Sequence, residues 1–203
     1  LHSLRRRQRQ MCIRDRLWTL RRLGSILQGH PDMKATPGVD FSTGSLGQGL
    51  SAANGMALAA RLDGRLYRVY ALLGDGELQE GQVWEAAMTA AHYRLDNLCA
   101  LVDFNGLQLD GPLAEVMEVR PLADKWRAFG WHVQEVDGHD VEQLLAALAE
   151  AARVRGRPSV IIARTVKGKG VDVFEGNNRY HGRPPSREDY LRAMEQLGAT
   201  AQP

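Results

Sequence analysis

Asp75 and Asn105 offer a carboxylate and a carboxamide, each set in a glycine turn, thirty positions apart. Gly74-Asp75-Gly76 follows the apolar run Arg68-Val69-Tyr70-Ala71-Leu72-Leu73, and Phe104-Asn105-Gly106 follows Leu98-Cys99-Ala100-Leu101-Val102-Asp103. Oxygen donors of this kind suit Mg²⁺, which takes hard ligands and shares them with phosphates. Such chemistry requires the two turns to lie side by side. The stretch between the runs, from about Glu80 to Arg94, has the length of one helix. A strand, crossover helix and parallel strand need roughly 30 residues, and such crossovers are almost always right-handed. The spacing therefore predicts both turns at the carboxyl edge of one parallel sheet, where open α/β sheets bind ligands. The expected site is a magnesium–diphosphate cradle.

The remaining elements must build that sheet. Leu50 to Leu62 is rich in small residues (Ala52, Ala53, Gly55, Ala57, Ala59, Ala60) and reads as a helix in close backbone contact rather than in solvent. Gln82 to Tyr93 is equally alanine-rich, as suits a helix between a sheet and a second protein chain. Val141, Leu144, Leu145 and Leu148 recur at helical spacing, with Asp140 placed to cap the helix. Trp131 to Val136 and Ser159 to Thr165 are further strands, the second running into the basic turn Lys167-Gly168-Lys169-Gly170. Ser186 and Asp189 have the spacing of a capping box with Asp in place of Glu, opening a last helix to about Leu197. Strands alternating with helices predict an α/β fold, a mostly parallel sheet flanked by helices.

A bare Gly-Asp-Gly is an ordinary turn, but here it opens a longer block. Gly74-Asp75-Gly76-Glu77-Leu78-Gln79-Glu80-Gly81-Gln82-Val83-Trp84-Glu85-Ala86 resembles transketolase, as do Thr43-Gly44-Ser45-Leu46-Gly47-Gln48-Gly49 and Gly29-His30-Pro31. The resemblance runs from about Trp18 to Gly198 and implies the thiamine diphosphate-binding fold. No pyrimidine-binding domain follows, so the chain resembles the N-terminal subunit of a two-gene enzyme. What this implies is thiamine diphosphate with Mg²⁺ or another divalent cation as cofactors. It also implies a partner subunit carrying the pyrimidine-binding domain, a dimer of such pairs, and sugar phosphates as substrates. The metal would be held by Asp75, the side-chain oxygen of Asn105 and the backbone carbonyl of Leu107. Gly74 and Gly76 would lie against the cofactor, with the Gly76 N–H offered to the diphosphate at a helix start. Gly44 and Leu46 resemble the loop against the aminopyrimidine ring, although Thr43-Gly44-Ser45 also reads as a helix cap, and both roles can coexist. Phe104, at a position often polar in the family, reads as a surface variation.

Two of six histidines stand out. His30 resembles the family histidine that hydrogen-bonds the oxygens of the donor ketose, and His181, in Tyr180-His181-Gly182, resembles one reaching the diphosphate and the reacting carbon. Both would serve as hydrogen-bond donors or proton carriers near neutral pH, and both should converge on one cleft beside Asp75. His92, His132 and His139 read as structural, and His2 lies in the atypical first segment. Glu80 reads either as an acidic residue favoured in a first helical turn or, by resemblance, as a dimer-interface residue contacting the opposite cofactor site. In the family a glutamate on the pyrimidine-binding domain activates the aminopyrimidine, so this chain is expected to supply half of an active site for two-carbon transfer from a ketose phosphate to an aldose phosphate. The rival readings are another thiamine diphosphate-dependent synthase, such as the one making deoxyxylulose phosphate, and a non-catalytic cofactor-binding fragment. Glu77-Leu78-Gln79-Glu80-Gly81 favours transketolase over the first, and the retained Asp75, Asn105, His30 and His181 oppose the second.

The chain has 203 residues, 44% of them apolar, which suffices for one core. It holds no apolar run near the length of a membrane span. Cys12 and Cys99 make neither a disulfide framework nor a metal quartet. A soluble, cytoplasmic protein without membrane or nucleic-acid partners is expected. Residues 1–16 lack apolar periodicity and resemble a translated sequencing adapter; a basic nucleic-acid arm and a targeting peptide are the alternatives. They hold six Arg and one Asp, so without them the formal +2 becomes 20 basic against 23 acidic residues, or −3. The expected division is thus 1–16 as a non-native segment and 17–203 as the cofactor-binding domain. That domain is expected to be incomplete at its N-terminus, lacking an upstream Lys-Gly-His segment of the family. The missing part should uncover apolar surface along Leu50 to Leu62 and Val83 to Ala91, leaving the polypeptide poorly soluble and inactive alone.

Overall fold

The computed structural model describes residues 17–198, so the expectation for residues 1–16 lies outside the described residues. The elements in chain order are α1 (Gln48–Leu62), β1 (Val69–Gly74), a 3₁₀ turn (Gly76–Gln79), α2 (Gly81–His92), β2 (Leu98–Phe104), β3 (Leu107–Gln108), β4 (Gly111–Pro112), α3 (Leu113–Val116), α4 (Leu122–Ala128), β5 (His132–Asp137), α5 (Val141–Arg153), β6 (Ser159–Arg164), a second 3₁₀ turn (Asn178–Tyr180) and α6 (Arg187–Gln196). The chain divides into two compact units between Gly49 and Leu50. In the first, turns are held by short-range bonds: Thr36 Oγ1 donates to the Ile26 carbonyl at 2.6 Å, and the Met33 N–H donates to Ser42 Oγ at 2.9 Å.

The second unit carries a four-stranded sheet in the order β1-β2-β6-β5, parallel at every pairing. Because successive strand residues point to opposite faces, the sheet sorts its side chains into two cores. Val69, Ala71, Leu73, Leu98, Ala100, Val102, Val160 and Ile162 face α1, α2 and α4. Cys99 and Ile161 face α5 through Ala147 and Ala151. Cys99 is thus a small core residue, and burial pushes its thiol up to about 11, far from the thiolate that a nucleophile needs. Alanines at Ala53, Ala57 and Ala60 of α1 and at Ala86, Ala87 and Ala90 of α2 are buried. These helices approach closely enough for the Asn54 side chain to donate to the Ala86 carbonyl at 2.8 Å. Trp126 packs edge-on against Trp131 with ring centroids 4.8 Å apart, and the Trp131 indole N–H donates to the Ala87 carbonyl, closing the core under α2.

Both predicted caps are present. Asp140 accepts from the N–H groups of Glu142 and Gln143, and Ser186 with Asp189 forms a full capping box. The capped helix α5 forms where the spacing placed it, and one expectation, at Phe104, needs correction. The α5 stripe is offset: Ala147 and Ala151 are buried, whereas Val141 and Leu145 are 66% and 61% exposed. Small residues let α5 settle on the sheet, and the larger ones on its flank are left outside. Phe104 is not a surface variation; it ends β2 partly buried against the main core and lines a cleft with Arg120, Leu122 and Arg164. The large exposed apolar side chains of β1 are Tyr70 and Leu72, at 53% and 74%, on the face opposite α1 and α2.

Candidate active site

Parallel pairing puts Gly74 opposite Asp103, so Asp75 and Asn105 leave neighbouring strands at the same carboxyl edge. Asp75 is 1% exposed and caps the 3₁₀ turn that follows it. Its Oδ1 accepts the Gly76 N–H at 2.8 Å, and its Oδ2 accepts the Gly106 N–H at 2.5 Å. One carboxylate therefore joins the two glycine turns directly. Burial raises its pKa against the opposing effect of these N–H groups, and the nearby Asp103 carboxylate raises it further. Thr165 Oγ1 bonds Asp103, linking the end of β6 to the same edge. Glu77 Oε2 accepts the Gly74 N–H at 3.2 Å. This sheet edge thus gathers the carboxylate oxygens of Asp75, Asp103 and Glu77.

Asn105 Oδ1 accepts the Leu107 N–H at 3.0 Å, an Asx turn that presents β3. A carboxamide oxygen has two lone pairs, so this bond leaves one for a cation. Gly106 has φ 77°, a conformation that glycine adopts without the Cβ penalty. It is needed because the Gly106 N–H must turn back to Asp75 while its carbonyl accepts the Leu113 N–H at 2.9 Å. The N–H of Gly76 is taken by Asp75, and its helix is a single 3₁₀ turn, so this glycine does not present a free amide at a long helix start. What it allows is close approach: a Cβ there would lie 2.8 Å from Gln108 Cβ. The turn is held from behind by Trp84, whose indole N–H donates to the Leu78 carbonyl at 2.9 Å.

His181 caps the second 3₁₀ turn and is exposed. Lys167, just past β6, places Nζ 3.4 Å from His181 Nδ1. A lysine ammonium can only donate, so this contact makes Nδ1 the acceptor and leaves the proton on Nε2. The sequence showed Lys167 as part of a basic glycine turn without giving it a role; its position after a strand's carboxyl end was the available signal. His139 supports the same region, since its Nε2 accepts the Val166 N–H at 2.8 Å. His132 pairs with Glu150, and His92 packs on Tyr93. Glu80 stands at the N-cap of α2, exposed and without a side-chain capping bond.

His30, Gly44 and Leu46 belong to the first unit. There His30 lies on Gly44: a Cβ at Gly44 would be 3.2 Å from His30 Cγ, so the glycine makes room for the ring. Leu46 is exposed. Among the described residues no group of three or more His, Cys, Asp or Glu could hold a metal by themselves. A cation at Asp75 would need amide, carbonyl and phosphate oxygens to complete its shell. No helix among the described residues is long and apolar enough to cross a membrane.

Residues 10–203 match the family described as transketolase, thiamine diphosphate binding domain. The chain is 48% identical over 179 residues to the 6-deoxy-6-sulfo-D-fructose transketolase subunit SqwG of Clostridium sp. (strain MSTE9), covering 88% of this chain and 65% of that protein. It is 42% identical over 179 residues to one of the subunits of the apulose-4-phosphate transketolase of Phocaeicola vulgatus, covering 88% and 63%. The chain thus spans less than two thirds of the length of these relatives. Among solved structures, transketolase from Campylobacter jejuni superposes with a TM-score of 0.86 at 34% identity, over 91% of this chain and 30% of that one. The two turns that Asp75 ties together therefore sit in a known frame, and the chain belongs to the transketolase family through its thiamine diphosphate binding domain.

Proposed function

We propose that this chain is the diphosphate-binding part of a two-polypeptide transketolase, moving a two-carbon ketol unit from a ketose phosphate to an aldose phosphate. The observation that carries the reading is the buried Asp75 carboxylate bridging the two glycine turns at the shared sheet edge. Asp75, Asn105 and the Leu107 carbonyl would hold Mg²⁺ or another divalent cation. The fit rests on the oxygen donors at this edge, on the neighbouring Asp75 and Asp103 carboxylates whose charge a cation would balance, and on the open space over Gly74. When bound, thiamine diphosphate supplies the ylid that stabilises a carbanion.

The chain's own residues do the rest of the work on this side. Gly74, with open space where a Cβ would stand, would leave room for the diphosphate, and Gly76 would lie against it while letting Gln108 close in. Lys167 adds positive charge beside His181 and orients its ring, so that Nε2–H can donate to a sugar or phosphate oxygen. His30 offers a second imidazole for the donor sugar, with Gly44 and Leu46 towards the aminopyrimidine. Glu80 would serve at the dimer interface. The pyrimidine-domain partner supplies the activating glutamate, and a dimer of such pairs completes the sites. A cytoplasmic setting suits the phosphorylated substrates. The relatives' names widen the substrate panel to 6-deoxy-6-sulfo-D-fructose and apulose 4-phosphate beside ordinary ketose phosphates.

The test is ketol transfer across that panel by this chain mixed with a pyrimidine-domain polypeptide, against each alone. Transfer that needs both polypeptides, thiamine diphosphate and a divalent cation supports the reading. Transfer by this chain alone refutes the half-site.

A further inference from the structure

Two segments converge on one residue that none of the roles above uses. Gln108, directly after Leu107, is approached on one side by Gly76, where a Cβ would stand 2.8 Å from Gln108 Cβ. On another side Asn178 Nδ2 donates to the Gln108 carbonyl at 2.5 Å and to the Leu109 carbonyl at 3.1 Å. A carboxamide nitrogen has two N–H groups, so both are used on two consecutive carbonyls of the β3–β4 turn. The reverse orientation would set the amide oxygen against two carbonyl oxygens, which fixes the assignment of O and N. The cost of this arrangement is visible: Asn178 Oδ1 is buried without a hydrogen-bond partner. A side chain kept in place with an unsatisfied acceptor is held there by what its nitrogen does.

The neighbouring Asn177 does something different. Its Oδ1 accepts the Arg179 N–H and its Nδ2 donates to the Val173 carbonyl, both at 3.1 Å. Those bonds anchor the 3₁₀ turn to its own loop, as does the edge-on contact of Phe174 with Tyr180 at 4.6 Å. Asn178 alone of the two reaches across 70 positions of sequence, and its turn ends on His181.

We infer that Asn178 is a positioning residue that ties the turn following Asn105 and Leu107 to the segment carrying His181, so that order gained at the metal-side turn is passed to the histidine. The inference rests on the proposed role of that turn in holding a metal–diphosphate. The tie itself consists of bonds present without any cofactor.

Hydrogen exchange by mass spectrometry on the full chain separates the two. In cofactor-free protein, Asn178→Ala should raise exchange by roughly tenfold, the loss of about one net hydrogen-bond free energy, in residues 105–111 and 177–182 together. Asn177→Ala should raise it in 177–182 only. A rise confined to one segment in Asn178→Ala overturns the tie. Asn178→Asp keeps the size but removes both N–H donors, and it should behave like Asn178→Ala; native exchange in Asn178→Asp overturns it as well. With Mg²⁺ and thiamine diphosphate added, native protein should gain protection in both segments, and Asn178→Ala in 105–111 but far less in 177–182. Equal protection of 177–182 in native and Asn178→Ala overturns the relay. If the native turn gains no protection from the cofactor while the paired rise stands, the metal–diphosphate reading fails and the tie is retained as a structural link, with its relay role refuted.

Discussion

Replacing Asp75 by Asn separates a metal ligand from a structural staple. The carboxylate accepts two backbone N–H bonds, at 2.8 and 2.5 Å. The amide keeps one acceptor and turns an N–H₂ towards the other donor, so one charge-assisted bond is lost, worth about 1.5–3 kcal/mol. Against this, the variant no longer buries a carboxylate whose ionisation burial already disfavours. The two effects offset, and the cofactor-free chain should change in unfolding free energy by less than about 2 kcal/mol. Asp75→Ala should cost more, because it leaves both N–H groups without an acceptor. The response to cofactor should differ far more. A ligand at 100-fold over its dissociation constant stabilises by about 2.7 kcal/mol, which for a chain of this size is about 5–10 °C in thermal midpoint. Native protein should show that shift with Mg²⁺ and thiamine diphosphate together, and Asp75→Asn should show none. Thermal melts with and without both additions, checked by calorimetric titration, decide the matter. A native-sized shift in Asp75→Asn would refute the metal role. A cofactor-free loss above about 4 kcal/mol would instead make the carboxylate chiefly a structural staple.

Gly76→Ala places a methyl 2.8 Å from Gln108 Cβ, so β3 must shift; overpacking of this kind costs about 1–3 kcal/mol, and cofactor affinity should fall by more than stability, as titration of a still-folded variant would show. Asp140 holds its carboxyl below the ordinary value of 3.8 through the Gln143 N–H and side chain and the Glu142 N–H. A depressed pKa means stability that is present above the ordinary value and lost as pH falls through the folded one. Asp140→Asn, an equally good cap, should therefore leave neutral-pH stability nearly unchanged and flatten the acid limb of the melting curve. Parallel acid limbs in native and variant would show that the cap does not titrate as described.

The sheet edge was legible because its signals are local and periodic: two apolar runs, two glycine turns and a helix-length spacing between them allow few arrangements. The caps at Asp140 and Ser186 were legible for the same reason, since each is decided within four residues. Side-chain facing was harder. The spacing of Val141, Leu144, Leu145 and Leu148 marks a helix correctly, but hydrophobicity alone favours leucine over alanine for the buried side. Close packing on the sheet reverses that preference, because Ala147 and Ala151 let the backbone approach and leave Val141 and Leu145 outside. Phe104 follows the same logic in reverse: a turn-adjacent position reads as surface until the cleft beneath it is known. The residues that stayed invisible are those whose meaning depends on a partner far along the chain. Nothing near Asn178 points to Gln108, and nothing near Lys167 points to His181. A strand ladder repeats its signal along several residues, whereas a single side-chain bond leaves none. The parts of a site that orient rather than bind are therefore the ones a fold must be seen to reveal.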